Sequence, residues 1–344
     1  MSAPSPDIWL ISDPLLRAHD TGVGHPESPA RLDAVLNRLH RATLPNVTWR
    51  TPAPVTREAL LRIHTSEFVD RVDRVRGLWG ELDPDVPVSP GSTDVAYLAA
   101  GAGIDAVTAV MTGQATRSFA LTRPPGHHAE RDIGLGFCMF NNAAIAAAHA
   151  REALGAKRVL LLDWDVHHGN GSQHLFEARN DILVLNIHQS PMYPGTGAVR
   201  ECGVGAGRGY TVNVPLPAGM GDGDYAGVFD DLVVPIVNAY APDLIMVSAG
   251  FDAHVQDPLG GMAVTPRGFG RMCASVRELA DRHAGGRLCL LLEGGYDLEG
   301  LATSVEACVE VLAGAPKPSC PRASETGQRV IASVREQLAR HWPR

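Results

Sequence analysis

Short apolar runs, several of them ending in glycine and polar residues, alternate along this chain with longer stretches of mixed polarity. The runs lie near 8–12, 118–122, 158–163, 182–187, 211–215, 243–248 and 287–292. They are apolar at odd and even positions alike, the pattern of strands in a parallel sheet covered on both faces. The intervening stretches predict helices over roughly 58–76, 94–112, 142–154, 223–240, 266–284, 298–313 and 324–341. Ala143 to Ala150 carries the strongest intrinsic helix propensity among them. Such alternation predicts an α/β fold with right-handed crossovers. Glycine- and proline-rich loops at 21–29, 83–92, 189–209 and 254–266 are long enough to carry function or to wall a site.

Four of the runs end in chemistry. Arg158 to Leu162 leads into Asp163-Trp164-Asp165-Val166-His167-His168-Gly169-Asn170. Side chains alternate across a strand, so Asp163, Asp165 and His167 share one side. Two carboxylates and an imidazole there suit a hard-to-borderline metal, or a ligand pair with an orienting acid. A solvated turn is the plain alternative, but packing alone gives no reason for this order. Ser118 to Thr122 leads into Arg123-Pro124-Pro125-Gly126-His127-His128, Asp243 to Ser248 into Ala249-Gly250-Phe251-Asp252, and Arg287 to Leu292 into Glu293-Gly294-Gly295-Tyr296. Ligands of open α/β sheets bind outside the carboxyl ends of the strands. Four such ends would gather His127, His128, Asp163, Asp165, His167, Asp252 and Tyr296.

Each piece has a bland reading when taken alone. Paired histidines are common on surfaces, an aspartate after a strand is often a cap, and Tyr296 could be a packed aromatic. Together they read differently. Asp165, His167 and Asp252 make three protein ligands, and a zinc site with one open position is catalytic rather than structural. Pro124 and Pro125 push the residues before them out of the helical region, and Gly126 permits a tight turn ahead of His127 and His128. The glycines before Tyr296 predict a flexible loop that moves its hydroxyl to an oxyanion. His64, His149, His174 and His283 have no such company and read as surface or satisfied histidines.

Composition narrows the class. The chain has 344 residues, 45% hydrophobic and 20% charged, with a net charge of −8. That is ordinary for a globular protein and provides no global basic field for nucleic acid. The N-terminal residues lack the basic and apolar regions of a signal peptide, and no apolar run is expected to cross a membrane. Six cysteines lie scattered without C-x-x-C spacing, which fits a reducing, cytoplasmic setting. No linker composition or internal repeat divides the chain, so one catalytic domain over 1–344 is expected, with a helical tail at 315–344.

These residues resemble the histone deacetylase family, over about residues 19–310. The resemblance rests on His25-Pro26-Glu27-Ser28-Pro29-Ala30-Arg31, Arg123 to His128, Gly134-Leu135-Gly136-Phe137-Cys138, Asp163 to Asn170, Tyr193-Pro194-Gly195-Thr196-Gly197, Ala249 to Asp252 and Leu292 to Tyr296. The D-W-D-V-H-H-G-N-G and L-E-G-G-Y forms are similar to the class II branch and to bacterial histone deacetylase-like amidohydrolases. The resemblance implies an arginase-like, three-layer α/β/α fold with a mainly parallel sheet of roughly eight strands.

It further implies a zinc-dependent amidohydrolase that removes acyl groups from N-ε-acyl-lysine. Zinc would be held by Asp165, His167 and Asp252. Asp163 would orient His127, which acts mainly by electrostatics. His128 would be the general base and then the acid for the leaving amine, with Asn170 behind it and Tyr296 as donor to the oxyanion. Gly136, Phe137 and Tyr193 would line an acyl-chain tunnel, and Asp85 would hold the substrate backbone at the rim. Structural potassium would bind at Asp163, Asp165, His167, Asn186 and Ile187, and at a more distant site near Phe176, Arg179, Ile182 and Tyr210.

Two departures bear on chemistry. Asn170 replaces the aspartate of another branch, and a neutral amide stabilises an imidazolium less, so His128 should be less basic than His127. Leu259 stands where polyamine-specific relatives carry an acidic gatekeeper. The partners implied are acyl-lysine proteins or peptides, or small acetylated amines such as polyamines, with no nucleic acid and no membrane. An inactive acyl-lysine-binding module and a binuclear manganese hydrolase of arginase type are weaker alternatives. The first is opposed by the complete residue set, the second by the lack of further bridging carboxylates.

Overall fold

The computed structural model describes residues 7–342. Strands β1 (Ile8–Ile11) and β2 (Val47–Arg50) are followed by a hairpin of β3 (Gly80–Asp83) and β4 (Val86–Val88). Then come β5 (Arg117–Ala120), β6 (Val159–Asp163), β7 (Ile182–Gln189), β8 (Thr211–Leu216), β9 (Leu244–Ala249) and β10 (Leu288–Leu292). Apart from the hairpin, they form one eight-stranded sheet in the order β2-β1-β5-β10-β9-β6-β7-β8. Every neighbouring pair in it is parallel.

Alternation along the strands builds two cores. Leu160 and Leu162 of β6 point into one, with Leu183, Leu185, Ile245 and Val247. Val159 and Leu161 point into the other, with Val184, Met246 and Leu291. Helices α1 (Pro29–Arg41), α7 (Asp222–Val228), α8 (Val234–Tyr240), α9 (Pro266–His283), α10 (Leu298–Leu312) and α11 (Glu325–Leu338) close the first face. Helices α2 (Arg57–Leu60), α3 (Ser66–Arg74), α4 (Ser92–Met111), α5 (Asn142–Glu152) and α6 (Asn170–Phe176) belong to the second. The result is the three-layer α/β/α fold of arginase type.

Several elements depart from the expected pattern. The stretch 58–76 is two helices, because Thr65 caps the second by accepting the Phe68 N–H. The stretch 223–240 contains a π-turn at Phe229–Val233, where Pro235 lacks the N–H that a regular helix would use. α1, α6, β2, β3 and β4 fall where the pattern predicts no element. α4 is long and apolar enough to cross a membrane, contrary to expectation, but it is mostly buried and packs on α5 and β5 as a core helix. The C-terminal segment becomes helical only at Glu325. It is docked rather than free, with Trp342 Nε1 donating to the Gly209 carbonyl at 2.8 Å. Residues 1–6 and 343–344, the ends of the expected domain, lie outside the described residues.

Candidate active site

β5, β6, β9 and β10 are adjacent, so their C-terminal ends deliver the four motifs to one place. The Asp165, His167 and Asp252 ligand atoms lie within 4.8 Å of one another. His167 Nδ1 is 3.1 Å from both Asp165 Oδ1 and Asp252 Oδ2. The remaining carboxylate oxygens are tied to backbone. Asp165 Oδ2 accepts the Gly294 N–H at 2.8 Å, and Asp252 Oδ1 accepts the Val166 N–H at 2.8 Å. Gly250 and Gly294 make this crowding possible. A Cβ at 250 would collide with the Asp165 carboxylate, and one at 294 with both carboxylates.

Burying like charges together perturbs the cluster. Burial and then Asp165 push Asp252 up to about 7. Burial opposes protonation of His167, but Asp165 and Asp252 outweigh it and raise the imidazole to about 10. Two buried carboxylates and one partly buried imidazole converge here, and they fit a zinc ion by donor type and number.

Beside the triad, the rings of His127 and His128 lie with centroids 4.0 Å apart. His127 Nδ1 donates to Asp163 Oδ2 at 2.9 Å, and His128 Nδ1 donates to Asn170 Oδ1 at 2.7 Å. The two histidines diverge. Burial disfavours the cation of both, but Asp165 and Asp163 hold His127 well above the usual histidine range. His128 is held well below it, by burial first and then by His127 and His167. The order is the one expected, but its cause is the pair of carboxylates beside His127, since burial acts on both rings and the Asn170 contact itself raises His128.

A cavity of about 130 Å³ opens over this cluster, lined by Asp85, His128, Gly136, Phe137, His167, Tyr193, Leu259 and Tyr296. The expected tunnel and rim residues therefore share one wall with His128 and His167. Gly136 has φ 54°, and a Cβ there would strike the His128 ring, so glycine is required twice over. Asp85 turns the hairpin with φ 60° and accepts the Gly136 N–H at 3.0 Å, while Tyr193 Oη lies 3.5 Å from its other oxygen. Burial raises the Asp85 carboxyl above its usual range.

Of the residues expected at potassium, Asp163 at the C-terminal end of β6 pairs in register with Asn186 inside β7. Ile187 follows Asn186. Ile182 starts β7 at its opposite end, and Phe176 closes α6, its carbonyl accepting the Arg179 N–H at 2.8 Å. Tyr210 lies beside this second group, its carbonyl accepting the Val184 N–H at 3.0 Å.

The Gly294-Gly295-Tyr296 loop is not the loose segment its glycines suggest. Arg31 binds the Gly295 and Glu293 carbonyls at 2.6 and 2.5 Å. Asp257 accepts the Tyr296 N–H at 2.6 Å. The glycines serve close approach to the carboxylates instead. Arg31 is in turn anchored by Glu27, which pairs with Arg123 at 2.7 Å, all three fully buried. Against burial, Arg123, His19 and Arg31 hold Glu27 down at about 2.

Glu293 is a support that the motifs do not announce. Its Oε2 accepts the Gly126 N–H at 2.6 Å and the His127 N–H at 3.2 Å, so it fixes the turn that presents both histidines. Glu130 is another, bonded to Asn170 at 2.6 Å and to His174 at 2.8 Å, which satisfies that partly exposed histidine. The signal for Glu293 was its place inside a motif read for Tyr296. Glu130 stands two residues beyond the paired histidines.

The family model described as the histone deacetylase domain matches residues 25–312. The chain belongs to the histone deacetylase family. It is 39% identical over 294 residues to the histone deacetylase-like amidohydrolase of Pseudomonas aeruginosa, covering 85% of this chain and 77% of that one. It is 41% identical over 334 residues to the polyamine deacetylase HDAC10 of Homo sapiens, covering 92% of this chain and 49% of the relative. The chain likewise spans little more than half the length of several plant relatives. The crystal structure of the HDA15 HD domain superposes with a TM-score of 0.93 at 39% identity, covering 98% of this chain and 96% of that one.

Proposed function

We propose that this deacetylase-family hydrolase is a zinc-dependent enzyme acting on N-ε-acyl-lysine in proteins or peptides. One observation carries the reading: His128, His167 and Tyr296 line the same narrow, partly aromatic cavity, directly over the Asp165–His167–Asp252 cluster. Those three residues would hold the zinc, which when bound supplies Lewis acidity and makes water a nucleophile near neutral pH. His128, with Nδ1 engaged by Asn170, offers Nε2 to take a proton from water and to return one to the leaving ε-amine. His127 keeps its orientation through Asp163 and acts by its charge. Tyr296 would donate to the oxygen that becomes negative in the transition state. Phe137 and Tyr193 would flank the lysine methylenes, with Asp85 receiving the substrate backbone at the mouth. Potassium near Asn186 and near Phe176 would be structural.

The human relative's name makes an acetylated polyamine the second reading. Leu259 on the cavity wall bears against it, because a neutral side chain offers nothing to a second ammonium. The test is the zinc-loaded protein profiled against acyl-lysine peptides and acetylated polyamines. Turnover of acetyl-lysine peptide with higher kcat/KM than acetylspermidine is expected. The reverse preference overturns the substrate assignment, and no turnover of either overturns the enzymatic one.

A further inference from the structure

Asn170 and His174 are four residues apart on α6 and so face the same side. What they face is Glu130, two residues beyond His128. Asn170 Nδ2 donates to Glu130 Oε1 at 2.6 Å, and His174 Nδ1 donates to the same oxygen at 2.8 Å. Glu130 is itself held in place, its N–H bonded to the Ile133 carbonyl at 2.9 Å and its carbonyl to His64 Nδ1 at 2.9 Å. Asn170 is only 3% exposed, and the Glu130 side chain 20%.

An asparagine amide has the same outline in either orientation, so its partners decide which end is which. An ionised carboxylate offers only acceptors. The NH₂ group of Asn170 therefore faces Glu130, with a longer second contact to the His128 carbonyl at 3.4 Å, and Oδ1 turns toward His128 Nδ1 at 2.7 Å. A carbonyl oxygen accepts, so Nδ1 of His128 carries the proton and Nε2 keeps its lone pair. With the amide reversed, NH₂ would face His128 and favour the opposite tautomer, which has no lone pair on Nε2.

We propose that Glu130 is a positioning residue that fixes the tautomer of His128 through the Asn170 amide. It does at one remove what a carboxylate directly behind the imidazole would do, and it keeps its full charge away from the ring. The proposal rests on reading His128 as the general base.

The test uses the zinc-loaded enzyme and its variants. Asn170→Asp alone sets two carboxylates against each other where a donor met an acceptor, and should lower kcat about 10–100-fold, the range for groups that orient a functional imidazole. Adding Glu130→Gln should restore kcat to within a few-fold of wild type, since Asp at 170 accepts from His128 directly and Gln at 130 donates to it. Equal effects of Asn170→Asp in both backgrounds overturn the proposal. The second readout is the ¹⁵N spectrum of histidine-labelled protein, with the His128 signals identified by their loss in His128→Ala. The Nδ1–H tautomer is expected in wild type and a mixture in Glu130→Gln; an unchanged tautomer in Glu130→Gln also overturns it. Normal kcat in His128→Ala would instead sink the base assignment itself, while a dead His128→Ala with additive effects at 130 and 170 sinks only the role of Glu130.

Discussion

The Asp257 carboxylate accepts the backbone N–H of Tyr296 at 2.6 Å. Its other oxygen accepts the Leu259 N–H at 2.9 Å and the Gly260 N–H at 3.3 Å. One side chain thus sets the height of the tyrosine and the position of the apolar gate in the same cavity wall. Burial raises the Asp257 carboxyl, and four backbone donors work to keep it ionised.

Asp257→Asn preserves shape but replaces one accepting oxygen with a donor. Hydrogen bonds to charged groups contribute about 1.5–3 kcal/mol. We expect kcat to fall about 10–100-fold on acetyl-lysine peptide, with preference among acyl chains altered as Leu259 shifts. Steady-state kinetics on an acyl-chain series checks this; a variant with unchanged kcat and selectivity would show that the loop is held by Arg31 alone.

The strand-end motifs are legible because parallel strands place their carboxyl termini on one edge, so the sequence alone groups His127, Asp163, Asp252 and Tyr296. The supports are not. Glu293, Asp257 and Arg31 act on backbone groups, and no side-chain pattern announces which N–H or carbonyl a residue will meet. Glu130 reaches Asn170 across 40 positions. In the fold, α1 carries Leu32, Val35, Leu36 and Leu39 at helical spacing, but its start lies inside a proline-rich segment that reads as loop. β2 is a four-residue edge strand, too short and too exposed for its periodicity to register.

Asp252→Ala leaves two of the three convergent ligand atoms and removes half of the carboxylate charge in the triad. Wild-type protein is expected to retain about one tight divalent ion per chain after dialysis, and the variant to lose it together with activity. Chelation of wild type should abolish turnover and added zinc restore it. Metal analysis showing retained stoichiometric metal and activity in the variant would remove Asp252 from the ligand set.

Leu259→Glu places a carboxylate on the cavity wall. A second ammonium on the substrate then gains a partner, while a neutral acyl-lysine chain gains none. The ratio of kcat/KM for acetylspermidine over acetyl-lysine peptide should rise at least about 10-fold, within the range one interaction can supply. A ratio that stays constant would mean that Leu259 does not gate the substrate.

Acid should weaken the fold through histidines kept neutral by burial. His19 and His64 are lowered to about 4, and His188 to about 3, in each case by desolvation first. Their unfolded value is near 6.5, so below it the unfolded chain binds more protons and stability falls. The loss begins as pH drops through 6.5 and continues to about 4 for His19 and His64 and to about 3 for His188, at about 1.4 kcal/mol per pH unit for each histidine. Urea unfolding of chelated protein at several pH values between about 7.5 and 4.5 measures the slope. A midpoint independent of pH in this window would mean these histidines are protonated in the folded state.

Tyr296 stands over Phe137 with ring centroids 6.1 Å apart and against Arg31, whose guanidinium carbon lies 5.0 Å from its ring. Burial first, and then Asp252 and Asp165, push its hydroxyl well above the usual range, with Arg31 opposing, so it stays a donor at any working pH. A neutral donor on a residue that lines the cavity is of most use to an oxygen that gains charge during reaction. Tyr296→Phe keeps the ring contacts and removes only that donor, so folding, metal content and KM should change little. The kcat on acetyl-lysine peptide should fall about 10²–10³-fold. Stopped assays over a substrate range separate the two parameters. A rise in KM with kcat preserved would make Tyr296 a ground-state contact, and normal values of both would make it packing, with some other group facing the developing charge.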